Sequence, residues 1–328
     1  MNITKLELMQ ISDKERFKPH TLEKVWTLLT VLERIQEDKD LRGKFALKGG
    51  TALNVFYSDL PRLSVDIDLN YIGSPKLEVM AEERPKLERA LERVYQSMGM
   101  EIRRSAQAHA GGKYEIRYNS LLNAGKGTIE VDLSYMYRAP LFSVEMKESA
   151  ALGGRRIEAI PIVAYEEVVA GKLSALLNRD ASRDLFDAYQ ILCTGKSVDK
   201  NKLKTAFLAY YIMEAENSVE IPIEKIGVSR QDVVNRLRPV LRNDEGMNSD
   251  KLCMQWAERA VKGVQSELKD LLTLKKEEKV FLKQALQHGK TDFSLITDDP
   301  SLISRLEQHP KIQWMKQKKV QQGKGMRM

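Results

Sequence analysis

The stretch Leu47–Leu69, LKGGTALNVFYSDLPRLSVDIDL, decides how this chain is read. KFALKGG, residues 44–50, has the makings of a short strand that ends at glycine. TALNVFYSDL follows as a short helix, and SVDIDLNYIG as a second strand. In a strand, side chains two apart leave the same face, roughly 6.6–7 Å from one another along the chain. Asp66 and Asp68 therefore point together, while Val65, Ile67 and Leu69 point towards a core. Two parallel carboxylates repel unless a cation neutralises them. Oxygen ligands of this kind suit a hard divalent ion, Mg2+ or Mn2+. A solvent-facing strand with ordinary Lys or Arg partners is the competing reading of a lone D-x-D.

The glycines fit two accounts. Gly49 and Gly50 lack Cβ atoms, so backbone can approach a phosphate closely, and amides at the start of the following helix point at an anion. Thr51 adds a hydroxyl donor or caps the helix. A tight strand–helix turn with a Thr cap explains the same residues. Neither the G-x-x-x-x-G-K-[ST] phosphate loop nor the G-x-G-x-x-G dinucleotide pattern is present. Ser64 and Arg62 stand two and four residues before Asp66, so on an extended strand they share its face and suit phosphate oxygens. Ser64 reads equally as a plain strand-end residue.

Outward from this stretch, KYEIRYNS and TIEVDLSYMY alternate at period two on either side of a turn-like LLNAGKG, which predicts a hairpin. Asp132 lies between apolar Val131 and Leu133, with Glu130 on its own face. A neighbouring strand would bring this third carboxylate beside the pair, and three carboxylates can hold two ions about 3.5–4 Å apart. Asp132 is then the candidate to take the proton of an attacking hydroxyl; as an edge-strand acid it has no such role. Upstream, Leu22, Val25, Trp26, Leu29, Leu32 and Ile35 recur at helical spacing. A charged helix over PKLEVMAEERPKLERALERVYQSMG is expected to break near Pro85, and RRIEAIPIV reads as a further strand.

After Ala164 helical periodicity dominates. The expected architecture is an α/β (α+β) lobe with a mixed sheet over residues 1–163, followed by a mainly α-helical lobe over 164–328. The closing KQKKVQQGKGMRM is basic, poor in apolar residues and expected to be a mobile tail. A net charge of +7 favours an anionic partner such as nucleic acid or nucleotide, although solubility alone also explains it. Cys193 and Cys253 have no metal spacing and read as reduced thiols. The opening MNITKLELMQISDKERF has acids and no apolar run, so no signal peptide is expected, and no segment suits a membrane span. The expected location is the cytoplasm.

The combination K-G-G-T-A-L, then R-x-S-x-D-x-D-L, resembles the AbiEii/MenT branch of the polymerase-beta-like nucleotidyltransferase superfamily. Gly50-Thr51 takes the place of the superfamily's Gly-Ser turn, Asp66 and Asp68 match its paired metal aspartates, and Asp132 looks like the third. VVAGKLSALLNRDASRDLFDAYQI resembles the family's downstream motif of a helical Lys, a following Arg and R-D-x-x-D. On that match Lys172 is the nucleotide-phosphate lysine, and Asp184 and Asp187 are the later acids. HPKIQWMK resembles a terminal family segment and reads as structural. Thr for Ser at 51, and Val65 where relatives often carry an acid, are departures. Left to the residues alone, Lys172 also reads as a surface lysine, and Asp184 as a partner of Arg179.

The resemblance implies a metal-dependent enzyme that moves NMP from an NTP to an acceptor hydroxyl, with Mg2+ or Mn2+ on Asp66, Asp68 and Asp132. Its candidate catalytic residues are Asp66, Asp68, Asp132, Lys172 and Asp184. Gly49, Gly50, Thr51, Arg62, Ser64, Lys172 and Asp187 would bind the nucleotide. It implies a bacterial toxin or phage-defence component, a separately encoded antitoxin, and the tRNA 3′ end as acceptor; no membrane partner is expected. Transfer to a small molecule such as an aminoglycoside, and a nucleotide-binding regulator without turnover, remain the alternatives. His20, His109, His288 and His309 form no metal or triad pattern, the Glu82–Arg93 run reads as a solvated helix face, and Trp26, Trp256 and Trp314 read as core.

Overall fold

Apolar residues at every second position of residues 126–134, namely Ile129, Val131 and Leu133, can be buried together only if that segment is extended. The computed structural model describes residues 3–104, 111–195, 197–215, 218–243 and 246–325, the side chains of 320–325 excepted. In it this segment is β5, Lys126–Ser134, and it pairs antiparallel with β4, Gly111–Asn119, as the expected hairpin. Five further strands complete a mixed sheet: β1 Phe45–Lys48, β2 Asp66–Tyr71, β3 Glu101–Arg104, β6 Glu145–Lys147 and β7 Ile160–Ile162. The order is β3-β4-β5-β2-β1-β7-β6, with β2–β5 and β1–β7 parallel and the other neighbours antiparallel.

One face of this sheet is apolar. Ile67, Leu69, Tyr114, Ile116, Val131 and Leu133 are buried on it. α2, Pro19–Glu37, supplies Leu22, Val25, Leu29 and Leu32 to the same core and packs on β5 and on α4, Leu77–Ser97. α4 does not break at Pro85 as expected. Its apolar stripe, Met80, Leu87, Leu91, Val94 and Tyr95, stays in helical phase across the proline, and burial of that stripe offsets the one missing N–H bond. α1, Lys5–Glu15, is closed by a capping box between Thr4 and Glu7. The edge strands β3 and β6 were not expected; they are short and polar, and their pairing alone makes them strands.

The chain divides into two units, each taking a segment from the other's half of the sequence. Unit 1 holds Met1–Arg138, Val144–Val163 and Arg238–Ser249; unit 2 holds Ala139–Ser143, Ala164–Leu237 and Asp250–Met328. The 238–249 segment is tied into unit 1 by backbone bonds, Leu63 N to Val240 O at 2.8 Å and Asn243 N to Arg16 O at 2.8 Å. Unit 2 is helical: α5 Tyr165–Asn178, α6 Ser182–Cys193, α7 Lys200–Glu214, α8 Arg230–Asp232, α9 Asp250–Leu271, α10 Lys276–His288, α11 Pro300–Gln308 and α12 Pro310–Gly325. α5 packs on α6 and α7, and α6 on α9. The helix expected over 230–243 is a broken run of short turns that ends near Pro239. The segment expected to be a tail is helical as far as Gly325. Among the described residues no helix is long and apolar enough to cross a membrane.

Candidate active site

The polar face of the sheet gathers the acidic residues singled out by sequence. β2 and β5 run parallel in a register that sets Asp66 beside Glu130 and Asp68 beside Asp132. All of these side chains leave the face opposite the apolar core, because Ile67, Leu69, Val131 and Leu133 take the other. β1 adds Lys48 opposite Asp68, and β4 adds Lys113 opposite Asp132. Asp132 is half-buried. Burial raises its carboxyl above the ordinary range, and Glu130 and Asp66 add to that; Lys113 and Lys48 work against it.

The glycine turn is fitted to one of these carboxylates. Gly49 sits at φ +69°, and a Cβ there would stand 2.2 Å from Asp68 Oδ2. Only glycine accepts both that backbone angle and that contact. Gly50 is buried, and its carbonyl accepts from Asn54 Nδ2 at 2.9 Å.

Three expected phosphate contacts stand differently from the expectation. Thr51 does not cap the short helix α3, Gly49–Thr51, which begins two residues before it; its hydroxyl donates to the Asp66 carbonyl at 2.6 Å. β2 begins only at Asp66, so Arg62 and Ser64 lie in the preceding loop and share no strand face with the aspartates. Arg62 is 1% exposed and donates from Nη1 to the Leu63 carbonyl at 2.8 Å; Ser64 is buried. The loop makes its turn with Leu60 at φ +52°, a left-handed angle unusual for a residue with a side chain.

The donor chemistry of Asp66, Asp68 and Asp132, gathered on one polar face, fits a hard divalent ion. Among the described residues, however, no three acidic, His or Cys groups already stand close enough to hold an ion as a finished cage. A cavity of about 1030 Å3 in unit 1 lies elsewhere: Trp26, Glu33, Met100, Tyr118 and Arg155 are among its lining residues, and none of the candidate residues is.

The other sequence-predicted acids form a cluster inside unit 2. Lys172 is 8% exposed, so the surface-lysine reading is set aside. Its Nζ lies 2.7 Å from Asp184 Oδ1 and 3.0 Å from Asp187 Oδ2. Arg179 Nε reaches Asp184 Oδ2 at 2.7 Å. Burial pushes the Asp184 carboxyl up, but Lys172 and Arg179 outweigh it and bring it down to about 2. Beside Lys172 on α5, Gly171 faces the Tyr210 ring of α7, where a Cβ would make an ordinary contact at 3.4 Å.

Of the aromatic residues, Trp26 is buried and Trp256 packs on Phe186 and Tyr189. Trp314 departs from the core expectation: it is 45% exposed, with the Lys311 and Lys318 ammoniums 4.7 and 5.4 Å from its ring centre. His309 is buried at the start of α12, where its Nδ1 accepts from Lys311 N. His109 lies outside the described residues. Cys193 and Cys253 are free thiols. Lys48 and Lys113 are the site residues that sequence reasoning passed over. The alternation of KYEIRYNS already put Lys113 on the polar face, but only strand register shows which acid it meets.

A mixed sheet bearing paired aspartates beside a Gly-Gly turn is the frame of a nucleotidyltransferase. Residues 30–286 match the family described as nucleotidyl transferase AbiEii toxin, type IV toxin–antitoxin system. The chain belongs to that family: it is a nucleotidyltransferase toxin, and such a system pairs it with a cognate antitoxin. Among solved structures it is similar to MenT4, a nucleotidyltransferase toxin from Mycobacterium tuberculosis H37Rv, at TM-score 0.57 and 15% identity, covering 93% of this chain and 99% of that one. JHP933 from Helicobacter pylori matches at TM-score 0.38 and 18% identity, over 95% and 98% of the two chains. Of these two, MenT4 supports the likeness of fold. No curated protein matches the sequence.

Proposed function

We propose that this toxin transfers a nucleoside monophosphate from an NTP to the 3′ hydroxyl of tRNA in the cytoplasm, and that it does so as part of a phage-defence response. The observation that carries the proposal is the register of β2 against β5, which sets Asp132 beside Asp68 with Asp66 on the same face. Asp66, Asp68 and Asp132 would hold Mg2+ or Mn2+. When bound, such an ion supplies charge neutralisation at the triphosphate and at the attacking oxygen.

The remaining steps belong to the chain itself. The Gly49–Gly50 turn admits the triphosphate close to backbone amides. The Asp132 carboxylate accepts the proton of the acceptor hydroxyl as that oxygen attacks the α-phosphorus. The bond to the β-phosphate oxygen breaks, and pyrophosphate leaves with the electron pair. Thr51, Arg62 and Leu63 hold the strand that carries Asp66 and Asp68. Positioning and charge complementarity are the main contributions expected in such a transfer. Lys172, Asp184 and Asp187 belong to unit 2 and carry no step here.

A polyanionic acceptor is supported by the net charge of +7 and by α12. That helix places the Lys311 and Lys318 ammoniums over an exposed Trp314, an arrangement suited to backbone phosphates and an unstacked base. The test is incubation with labelled NTPs, Mg2+ and total tRNA. Label on RNA that is lost in Asp68→Ala supports the proposal. Label on an added aminoglycoside in place of RNA, or tight NTP binding with no transfer, refutes it.

A further inference from the structure

Four strands place two neighbouring carboxylates between two ammonium groups in one row across the sheet. Lys113 on β4 stands opposite Asp132 on β5, Asp132 beside Asp68 on β2, and Asp68 opposite Lys48 on β1. The next row on the same face reads Glu115, Glu130, Asp66. The two aspartates are thus bracketed by ammonium groups, and each ammonium has a specific resting place. Lys48 Nζ lies over the Tyr137 ring, 4.9 Å from its centre. Lys113 Nζ lies 2.6 Å from Glu130 Oε2, although its direct cross-strand neighbour is Asp132. Glu130 is the diagonal neighbour, within reach of a side chain as long as lysine.

We propose that Glu130 is a positioning residue that parks Lys113 beside the carboxylate row, and that this pairing sets the affinity of Asp66, Asp68 and Asp132 for a divalent cation. The inference rests on the metal-binding reading of those aspartates. The ammonium opposes the ion by charge, and Glu130 draws it one row along the sheet. Without Glu130 the ammonium closes on Asp132 and competes directly with the ion. Lys113 and Glu130 are about half exposed, at 45% and 48%, so water and salt temper the effect. A unit charge about 7 Å from a divalent ion in a high-dielectric setting changes affinity roughly three- to tenfold.

The experiment is Mn2+ binding to the full chain without nucleotide, read from the EPR signal of free Mn2+, with circular dichroism to verify folding. Asp68→Ala should abolish the site-specific Mn2+. Lys113→Met should tighten binding about three- to tenfold, and Lys113→Arg should leave it near wild type. Glu130→Gln should weaken binding in both backgrounds through loss of its own charge, and by at least about threefold more when Lys113 is present than when it is Met. Equal weakening by Glu130→Gln in both backgrounds means that Glu130 acts only through its own charge, and it overturns the inference. So does unchanged binding in Lys113→Met. Retention of Mn2+ by Asp68→Ala overturns the metal-site reading itself and the inference with it, a pattern distinct from the other two.

Discussion

Replacing Lys172 by methionine tests how unit 2 is held together. The side chain keeps much of its volume but loses the charge that sits 2.7 Å from Asp184 and 3.0 Å from Asp187. Both aspartates are 1% exposed, so water cannot take over that role. Removing one partner of a buried charge cluster strands the others and costs about 3–5 kcal/mol. The pH dependence gives the sharper signature. In the wild type the Asp184 carboxyl is depressed from 3.8 to about 2. A depressed carboxyl contributes stability that is present above pH 3.8 and lost as pH falls from there towards 2. The contribution is roughly 2 kcal/mol.

In Lys172→Met the sign reverses. Protonating a stranded buried carboxylate now relieves the native state, so the deficit is largest near pH 7 and shrinks towards pH 5, by up to about 1.4 kcal/mol per pH unit per carboxyl. Urea unfolding at pH 7 and pH 5 measures this, followed by fluorescence, to which Trp256 contributes from its contact with Phe186 on α6. Adding Asp184→Asn and Asp187→Asn should recover part of the loss at pH 7, because no buried charge is then left unpaired and the exposed Arg179 is solvated. A deficit below about 1 kcal/mol at pH 7, or the same deficit at both pH values, would refute the argument that these charges are buried as a mutually dependent set.

Three further outcomes follow from the site. Gly49→Ala should lower transfer at least about tenfold and cost about 1–2 kcal/mol in a urea melt, since its Cβ meets the Asp68 carboxylate at a left-handed backbone angle; wild-type kinetics would remove the close-approach account. Thr51→Val loses the bond to the Asp66 carbonyl, so kcat should fall with the KM for NTP little changed, and Thr51→Ser should restore it; a raised KM with normal kcat would make the hydroxyl a phosphate ligand. Trp314→Ala should raise the KM for RNA about tenfold and leave that for NTP unchanged; equal KM for RNA in both proteins would remove α12 from the acceptor-binding face.

Much of the fold was legible because burial dictates periodicity. The hairpin of β4 and β5 and the helices α2, α5, α6, α7, α9 and α10 announce themselves by apolar spacing alone. β3 and β6 did not, since three or four polar residues become a strand only through a partner. Pro85 misled for a related reason: its local penalty is visible in sequence, while the buried stripe that outweighs it depends on tertiary packing. Trp314 misled in the opposite direction, because composition alone does not tell a core tryptophan from one held at the surface between two lysines.

The site shows the same division. Residue type and the i, i+2 rule were enough to put Asp66 and Asp68 on one face, but the same rule carried back to Ser64 and Arg62 overran the start of β2 at Asp66, and with Thr51 they were given to phosphate. Thr51 and Arg62 spend hydrogen bonds on backbone carbonyls of the segment entering β2, and Leu63 N ties that segment to Val240. These bonds fix where the strand begins, and therefore where both aspartates stand relative to Asp132. A hydroxyl or guanidinium beside a candidate catalytic strand has two uses, and sequence cannot separate them, because the backbone acceptor carries no side-chain signature. Lys48 and Lys113 went unassigned for the converse reason. A lysine on a polar strand face is ordinary until register shows two of them closing the same row as Asp68 and Asp132.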